Sequence, residues 1–320
     1  MTKAIVADIG GTHARFAIAI IADGRPVRLE QIATKRVADH ATIEAAWRSY
    51  IDTLALPVPR QGAIAMAGSV KGDVLRFTNN PWVIDRRTIA DTLDLDRCVV
   101  CNDFDAVGHT VAQSGSDDLA HLCGPATWPE SGVISIIGPG TGLGIASVLR
   151  LANGDYHVIP TEGGHLDFAP LDDFEDALLA HLRKIHDRVS IERIVSGPGL
   201  RPIYETLAAQ QGKTSQPEDD PVLWQQALSG EDELAVQALK RFCLSLGAVA
   251  GDIAIAQGAS AVVIAGGLGA RLADYLPRSG FAKRFTAKGR YQQHMESLPV
   301  RLLVAEEPGL FGMAAMLARS

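Results

Sequence analysis

The residues in this chain that could do chemistry fall into a few short runs. Asp8-Ile9-Gly10-Gly11-Thr12-His13-Ala14-Arg15 lies between the apolar runs 4–7 and 16–22. Two such runs joined by Gly-Gly-Thr read as a strand, a tight turn and a returning strand, with glycines that let a ligand approach the backbone. Successive N–H groups of Gly10, Gly11 and Thr12 would form an anion-binding nest, and Thr12 adds a hydroxyl. Asp8 at the strand end could hold a hydrated Mg2+ on the phosphates. The plainer alternative is an ordinary glycine hairpin. A second run, Gly138-Pro139-Gly140-Thr141-Gly142-Leu143-Gly144, repeats the plan between apolar segments 133–137 and 145–149. Two such turns in one chain suit two clamps on one polyphosphate. Neither is a Walker A loop, because no Gly-Lys-Ser/Thr follows, and neither opens a helix as a dinucleotide fingerprint does.

Four further stretches carry polar groups at turns. Asn102-Asp103-Phe104-Asp105 follows the apolar run 97–101, and in open α/β sheets ligands gather beyond the carboxyl ends of strands. Equally, Asn102 or Asp103 could be the N-cap of a helix carrying Ala106, Val107, Thr110 and Val111. In Thr78-Asn79-Asn80-Pro81-Trp82 the proline forces Asn80 to be extended, and the amides serve either turn chemistry or sugar hydroxyls. Glu162, His165 and Asp167 surround Gly163-Gly164, a set that could bind metal, bind hydroxyls or decorate a loop. Gly266-Gly267 closes the apolar run 261–265 and offers a flat surface for adenine or ribose. Cys98 and Cys101 mimic a CxxC motif, but on a strand residues i and i+3 face opposite sides, so no shared metal or redox role is expected.

The rest of the chain must position these groups. Its 320 residues suffice for two domains, and 47% apolar with 21% charged residues describes a globular protein without a disordered tail. The net charge of −7 argues against nucleic acid as a partner, so anions must be held by local nests and metal. A strand beginning near Ala4 leaves no signal peptide, and no apolar run reaches membrane-spanning length. A cytoplasmic location, with Cys98, Cys101, Cys123 and Cys243 as free thiols, is therefore expected.

Asp23-Gly24 turns the second strand into a third. Ile43, Ala46, Trp47, Tyr50, Ile51 and Leu54 then fall on one face of a helix, and 61–67 is a buried strand of the parallel type. Lys71-Gly72-Asp73 is expected to turn a hairpin ending in 77–82, with a helix over 86–93 and a strand over 97–101. A linker at 114–118 sets a domain boundary: 1–113 with 305–320 as a small domain, and 114–304 as a large one. In the second part, Asn153-Gly154 signals a hairpin and Asp172 with Glu175 a capping box for a helix to about 185. Helices are expected over 200–209 and 233–255, and 212–221 reads as a surface loop. The last strand, 301–305, precedes a terminal helix over 310–318.

Taken in order, these segments resemble bacterial glucokinases of the non-ROK type, within the actin-like ATPase superfamily of sugar kinases, chaperones and actin. The resemblance rests on 8–15, 75–82, 102–104, 138–144, 161–170 and 192–200, and so spans essentially the whole chain. A ROK protein would need a cysteine-rich zinc loop, and no cysteine occurs between Cys123 and Cys243. The resemblance implies an α/β fold of two actin-like, ribonuclease-H-like domains flanking a nucleotide- and sugar-binding cleft. It implies ATP-dependent phosphorylation of glucose at the 6-hydroxyl, with Mg2+ and a homodimeric enzyme. Asp103 would be the catalytic base. Asn102, Glu162, His165 and Glu192 would grip sugar hydroxyls, with Asn80 nearby, and ATP would lie on Gly10, Gly11, Thr12, Gly138, Thr141, Gly142, Gly266 and Gly267. The competing expectations are a kinase of another hexose or amino sugar and a non-catalytic actin-like module.

Overall fold

The computed structural model of the chain describes residues 1–54, 57–68, 70–77, 80–213 and 219–320. Its first part runs β1 (Thr2–Ile9), β2 (His13–Ala22), β3 (Arg25–Arg36), α1 (Ile43–Ile51), β4 (Gln61–Met66), β5 (Val74–Arg76), β6 (Val83–Asp85), α2 (Ile89–Thr92), β7 (Arg97–Asn102) and α3 (Asp103–Gln113). There follow β8 (Leu119–Cys123), β9 (Gly132–Pro139), β10 (Leu143–Arg150), β11 (Tyr156–Thr161), α4 (Asp173–Leu182), α5 (Leu200–Gln210), α6 (Asp220–Ser229) and α7 (Glu233–Gln257). The chain closes with β12 (Ala259–Ile264), α8 (Gly266–Arg271), α9 (Phe281–Thr286), α10 (Gln292–Glu296), β13 (Val300–Leu303) and α11 (Pro308–Arg319). Two units form: Met1–Ser114 with Val158–Pro160 and Ala305–Ser320, and Gly115–His157 with Thr161–Val304.

In the first unit the strand order is β3-β2-β1-β4-β7. β1 pairs antiparallel with β2 and parallel with β4, and β4 pairs parallel with β7. Both faces of this sheet are buried, but with side chains of different size. Ile5, Ile9, Phe16, Ile64 and Met66 pack against Trp47 and Tyr50 of α1, while Ala4, Ala17, Ala19, Ala63 and Ala65 face Leu310, Met313, Ala314 and Leu317 of α11. The small residues on that second face let α11 settle close to the sheet, and Gly312 does the same against the Ala106 carbonyl of α3, where no Cβ would fit. Cys98 packs against the first cluster and Cys101 lies in the second, so the two thiols face opposite sides of β7.

The second unit repeats the scheme in the order β11-β10-β9-β12-β13-β8. β9 and β10 form an antiparallel pair, β12 runs parallel to both β9 and β13, and β8 adds an antiparallel edge. α7 is the spine of its core: Leu239, Phe242, Leu246 and Val249 are buried on it. Gly154, at φ +88, turns β10 into β11 as an Asn-Gly hairpin should. The mixed α/β architecture, built twice from an antiparallel meander followed by parallel strands, is the expected actin-like one. Among the described residues no helix is long and apolar enough to cross a membrane.

Several local expectations need correction. Lys71-Gly72-Asp73 precedes the small hairpin rather than turning it, because β5 starts at Val74 and pairs with β6 in the register Val74↔Asp85. The connection is therefore the 77–82 segment, of which Thr78 and Asn79 lie outside the described residues. The helix expected over 86–93 shrinks to Ile89–Thr92, since Arg86 donates to the Val70 and Val100 carbonyls and Arg87 turns back onto Asp85. Of the loop expected at 212–221, residues 214–218 lie outside the described set, but Pro221 sits in the first turn of α6, where its missing N–H costs nothing. Asp172 caps α4 as expected, accepting from Glu175 N–H at 3.0 Å, yet Glu175 reaches back to Leu171 N–H rather than to its capping partner.

Candidate functional site

In the first unit the candidate residues gather at the carboxyl ends of β1, β4 and β7. β1 and β2 are in register up to Ile9↔Ala14, and Gly10 N–H donates to the His13 carbonyl at 2.9 Å. That bond closes the hairpin and takes the first N–H out of the expected three-member nest, so the nest rests on Gly11 and Thr12. Asn80 holds the same turn from the side: its Nδ2 donates to the Gly10 carbonyl at 3.1 Å while its Oδ1 accepts from Trp82 N–H at 2.9 Å. The predicted sugar neighbour thus has a structural task, that of tying the first glycine turn to the 77–82 connection.

Asp8 has surroundings the sequence did not reveal. Its carboxylate lies against Gly309 in the first turn of α11, where any Cβ would collide with it, and the positive end of a helix favours a carboxylate. Arg15 stands 3.9 Å from Asp8 and 3.5 Å from Glu307. Burial raises the Asp8 pKa to about 6, with Arg15 opposing the rise and Glu307 adding to it. Glu307 caps α11 in the left-handed region, φ 47 and ψ 54, a conformation that strains a residue with a Cβ. Arg15 lay within the motif singled out from sequence, but its pairing with a residue at the far end of the chain left no local signal.

Asn102 and Asp103 divide the two roles considered for them. Asn102 is the N-cap of α3: its Oδ1 accepts from Phe104 N–H at 2.8 Å, and its Nδ2 donates to the Gly68 carbonyl at 2.9 Å, tying β7 to the end of β4. An amide keeps one further hydrogen and one further lone pair for a ligand. Asp103 is the first helical residue, and its Oδ1 also accepts from Phe104 N–H, at 2.9 Å. Along the same helix, Asp105 of the first turn and His109 approach to 3.8 Å. Burial raises Asp105 to about 6 and, with the Arg319 charge assisting, lowers His109 to about 4.

In the second unit the candidates converge on the turn between β9 and β10. Leu143 pairs with Pro139, and Gly140 N–H donates to the Gly142 carbonyl at 2.8 Å, leaving Gly140-Thr141-Gly142 as the tip. Glu192, on a single 3-10 turn at Ile191–Arg193, accepts Leu143 N–H on Oε2 at 2.9 Å, and its carboxylate fills the space where a Cβ on Gly142 would stand. Gly197 N–H donates to the Gly140 carbonyl at 2.7 Å. Gly266, at φ +77, lies against Gly138 and Pro139, where a Cβ would come within 2.6 Å of the Pro139 carbonyl; Gly267 instead faces open space. Of the two glycines expected near adenosine, one is committed to packing.

Glu162 and His165 bracket another 3-10 turn, Gly163–His165, whose Gly164 sits on the Leu143 carbonyl. Their side chains are exposed, with His165 Nε2 3.9 Å from Glu162 Oε2. Phe168 N–H to the Val189 carbonyl and Ile191 N–H to the Leu166 carbonyl lace this loop to the Glu192 segment. Asp167, which the metal reading would have needed as third ligand, pairs with Arg188 at 2.5 Å. Glu162, His165 and Glu192 therefore cluster beside the second glycine turn, while Asn80, Asn102 and Asp103 belong to the first unit.

Comparison with known proteins accounts for this set of turns and polar clusters. A family model described as Glucokinase matches residues 5–320. The glucokinase of Zymomonas mobilis subsp. mobilis is 54% identical over 315 residues, covering 98% of this chain and 97% of that protein. Among solved structures, a glucokinase from an Antarctic psychrotroph superposes with a TM-score of 0.87 at 34% identity, over 100% of both chains. A glucokinase from Balamuthia mandrillaris, solved in complex with glucose, shares the fold with a TM-score of 0.81 at 22% identity, over 100% of this chain and 94% of that one. With a family match along nearly its whole length and a relative of more than half identical residues, this chain belongs to the glucokinase family.

Proposed function

We infer that this chain transfers the terminal phosphoryl group of ATP to the 6-hydroxyl of D-glucose, giving glucose 6-phosphate and ADP. The observation that carries the catalytic part is the division of labour at the end of β7. Asn102 is the N-cap of α3 and Asp103 its first residue, sharing Phe104 N–H through Oδ1; Asp103 is assigned as the base that removes the 6-hydroxyl proton while the oxygen attacks phosphorus. Glu162, His165 and Glu192 are assigned to the remaining hydroxyls. Carboxylates and an imidazole suit a neutral polyol, which offers paired donors and acceptors but no charge. Asn102 joins them through its spare hydrogen and lone pair, and Asn80 acts through the Gly10 carbonyl.

The nucleotide is assigned to the first glycine turn, where the nest rests on Gly11 and Thr12 and Gly10 closes the hairpin, to Gly138, Thr141 and Gly142, and to the surface at Gly267 beside the packed Gly266. Asp8 fits a Mg2+ role, since a carboxylate raised to about 6 by burial gains from a nearby divalent cation. That ion would neutralise phosphate charge; Asp8 would hold it through water. The domains that carry the activity are proposed as 1–113 with 305–320, and 114–304. The family resemblance also supports a cytoplasmic homodimer, checked by sedimentation.

A coupled ADP-release assay over glucose, mannose, fructose, galactose and glucosamine tests the assignment. Strong preference for glucose is expected. Equal or better turnover of another sugar would replace glucose in the proposal, and no sugar-dependent ADP release would end it.

A further inference from the structure

The second glycine turn is held by a chain of hydrogen bonds that begins at a buried tryptophan of α6. Trp224 is 3% exposed and packs edge-on against Phe242 of α7, ring centroids 5.1 Å apart. Its Nε1–H donates to the Gly197 carbonyl at 2.7 Å. Gly197 N–H then donates to the Gly140 carbonyl at 2.7 Å, and Gly140 N–H to the Gly142 carbonyl at 2.8 Å. From the other side Glu192 accepts Leu143 N–H. The turn is thereby pinned at both ends, whereas the Cβ direction of Gly140 meets nothing within 4 Å. One side of the turn is buttressed and the other is open to a ligand.

We propose that Trp224 is a positioning residue for the nucleotide: it fixes the Gly197 peptide, and Gly197 sets where the Gly140-Thr141-Gly142 backbone stands. An indole N–H can only donate, and Gly197 is caught on both of its backbone groups, so loss of the donor frees one anchor of the relay. No other contact from Trp224 to the turn is needed. This rests on the assignment of that turn to nucleotide phosphate made above.

Trp224→Phe keeps an aromatic ring and removes only the donor. Calorimetric titration of ADP at saturating glucose should show binding weakened about three- to tenfold, the KM for ATP rising by the same factor and the KM for glucose staying within twofold. Phe242→Leu serves as the control for lost packing: it should lower Tm comparably while leaving the ADP dissociation constant within twofold. Gly197→Ala attacks the relay with the tryptophan intact, because its Cβ would stand 3.1 Å from the Gly140 carbonyl; it too should weaken ADP. A folded Trp224→Phe enzyme with unchanged ADP binding overturns the proposal, as does a Phe242→Leu enzyme that loses ADP equally. If Trp224→Phe does not fold, Gly197→Ala decides: unchanged ADP binding overturns the relay. Thr141→Val separates the two levels of inference. Should it weaken ADP while the relay variants do not, only the relay fails; should none of the three affect ADP, the nucleotide assignment of the turn fails with it.

Discussion

The two glycine turns have the same hairpin plan and differ in the balance of side-chain and backbone support. Around the first, ionisable side chains and an amide join the backbone bonds of Val37 to Thr12 and Gly10 to His13: Asp8 against α11, Arg15 between Asp8 and Glu307, and Asn80 on the Gly10 carbonyl. Around the second, the props are mostly backbone: Gly197 on Gly140, Gly266 on Pro139, Gly164 on Leu143, with the Glu192 carboxylate on Leu143 N–H. Charge supports are cheap to vary and respond to pH and to cations. Backbone supports demand glycine at each close approach, and they hold a turn whatever the pH. The first unit is thus where protonation and metal should register, the second where steric change should.

The sharpest break of that comparison lies at Asp103, because a charge in the first unit is assigned the chemistry itself. Asp103→Asn should fold with unchanged Tm, since Asn102 caps the helix, and should bind glucose within a few-fold of wild type. Its kcat should fall by roughly 10²–10⁴, the usual cost of losing a general base. Stopped-flow or coupled assays with calorimetric glucose binding decide it. Near-normal kcat in a well-folded protein would return Asp103 to a purely structural role.

Glu192 comes next, as the charged group in the otherwise backbone-held region. The family resemblance implies a place on sugar, so that replacement by Ala should affect glucose far more than ATP. The Leu143 bond changes that expectation. Glu192→Ala leaves a turn N–H without its acceptor, which costs about 1–3 kcal/mol, so the KM for ATP should rise roughly five- to a hundredfold along with that for glucose. Glu192→Gln retains an acceptor for Leu143 and should raise the glucose KM alone. Kinetics with each substrate varied in turn distinguish the two; an Ala variant with unaltered ATP kinetics would detach Glu192 from the turn.

What could be read from the chain follows the same divide. The glycine turns and the meander were legible because they are local: Gly10-Gly11 and Asp23-Gly24 between apolar runs are spacing alone. The Asn102 cap was legible as a choice between neighbours, which only geometry could resolve. Arg15 with Glu307 and Trp224 with Gly197 were not legible, because each pair is made by the fold and neither member announces the other. α9 and α10 escaped notice for another reason: at six and five residues they are too short to show helical periodicity. The over-long helix at 86–93 failed because Arg86 and Arg87 had better partners than the helix offered.

The smallest expected effect concerns stability and pH, and it belongs to the first unit. Asp8 and Asp105 are both raised to about 6 by burial, so between pH 4 and 6 the folded chain keeps protons that the unfolded chain has released. Stability contributed this way falls as pH rises through that window. His109 works in the opposite sense. Lowered to about 4 by burial and by Arg319, it stays neutral where an unfolded histidine would be charged, and its contribution rises with pH from about 4 to 6.5. At pH 5 the 3.8 Å contact between Asp105 and His109 therefore joins a neutral acid to a neutral ring rather than an ion pair. Two groups lose and one gains, so the wild-type Tm should decline modestly from pH 4 to 6. Asp105→Asn removes one loss and should flatten the curve; His109→Gln removes the gain and should steepen it. Shifts of about two units correspond to on the order of 2–3 kcal/mol for each group across the window. Differential scanning fluorimetry of the three proteins from pH 4 to 7 gives the order of slopes directly, and a His109→Gln curve no steeper than that of Asp105→Asn would mean that the buried charges of the first unit do not set its pH response.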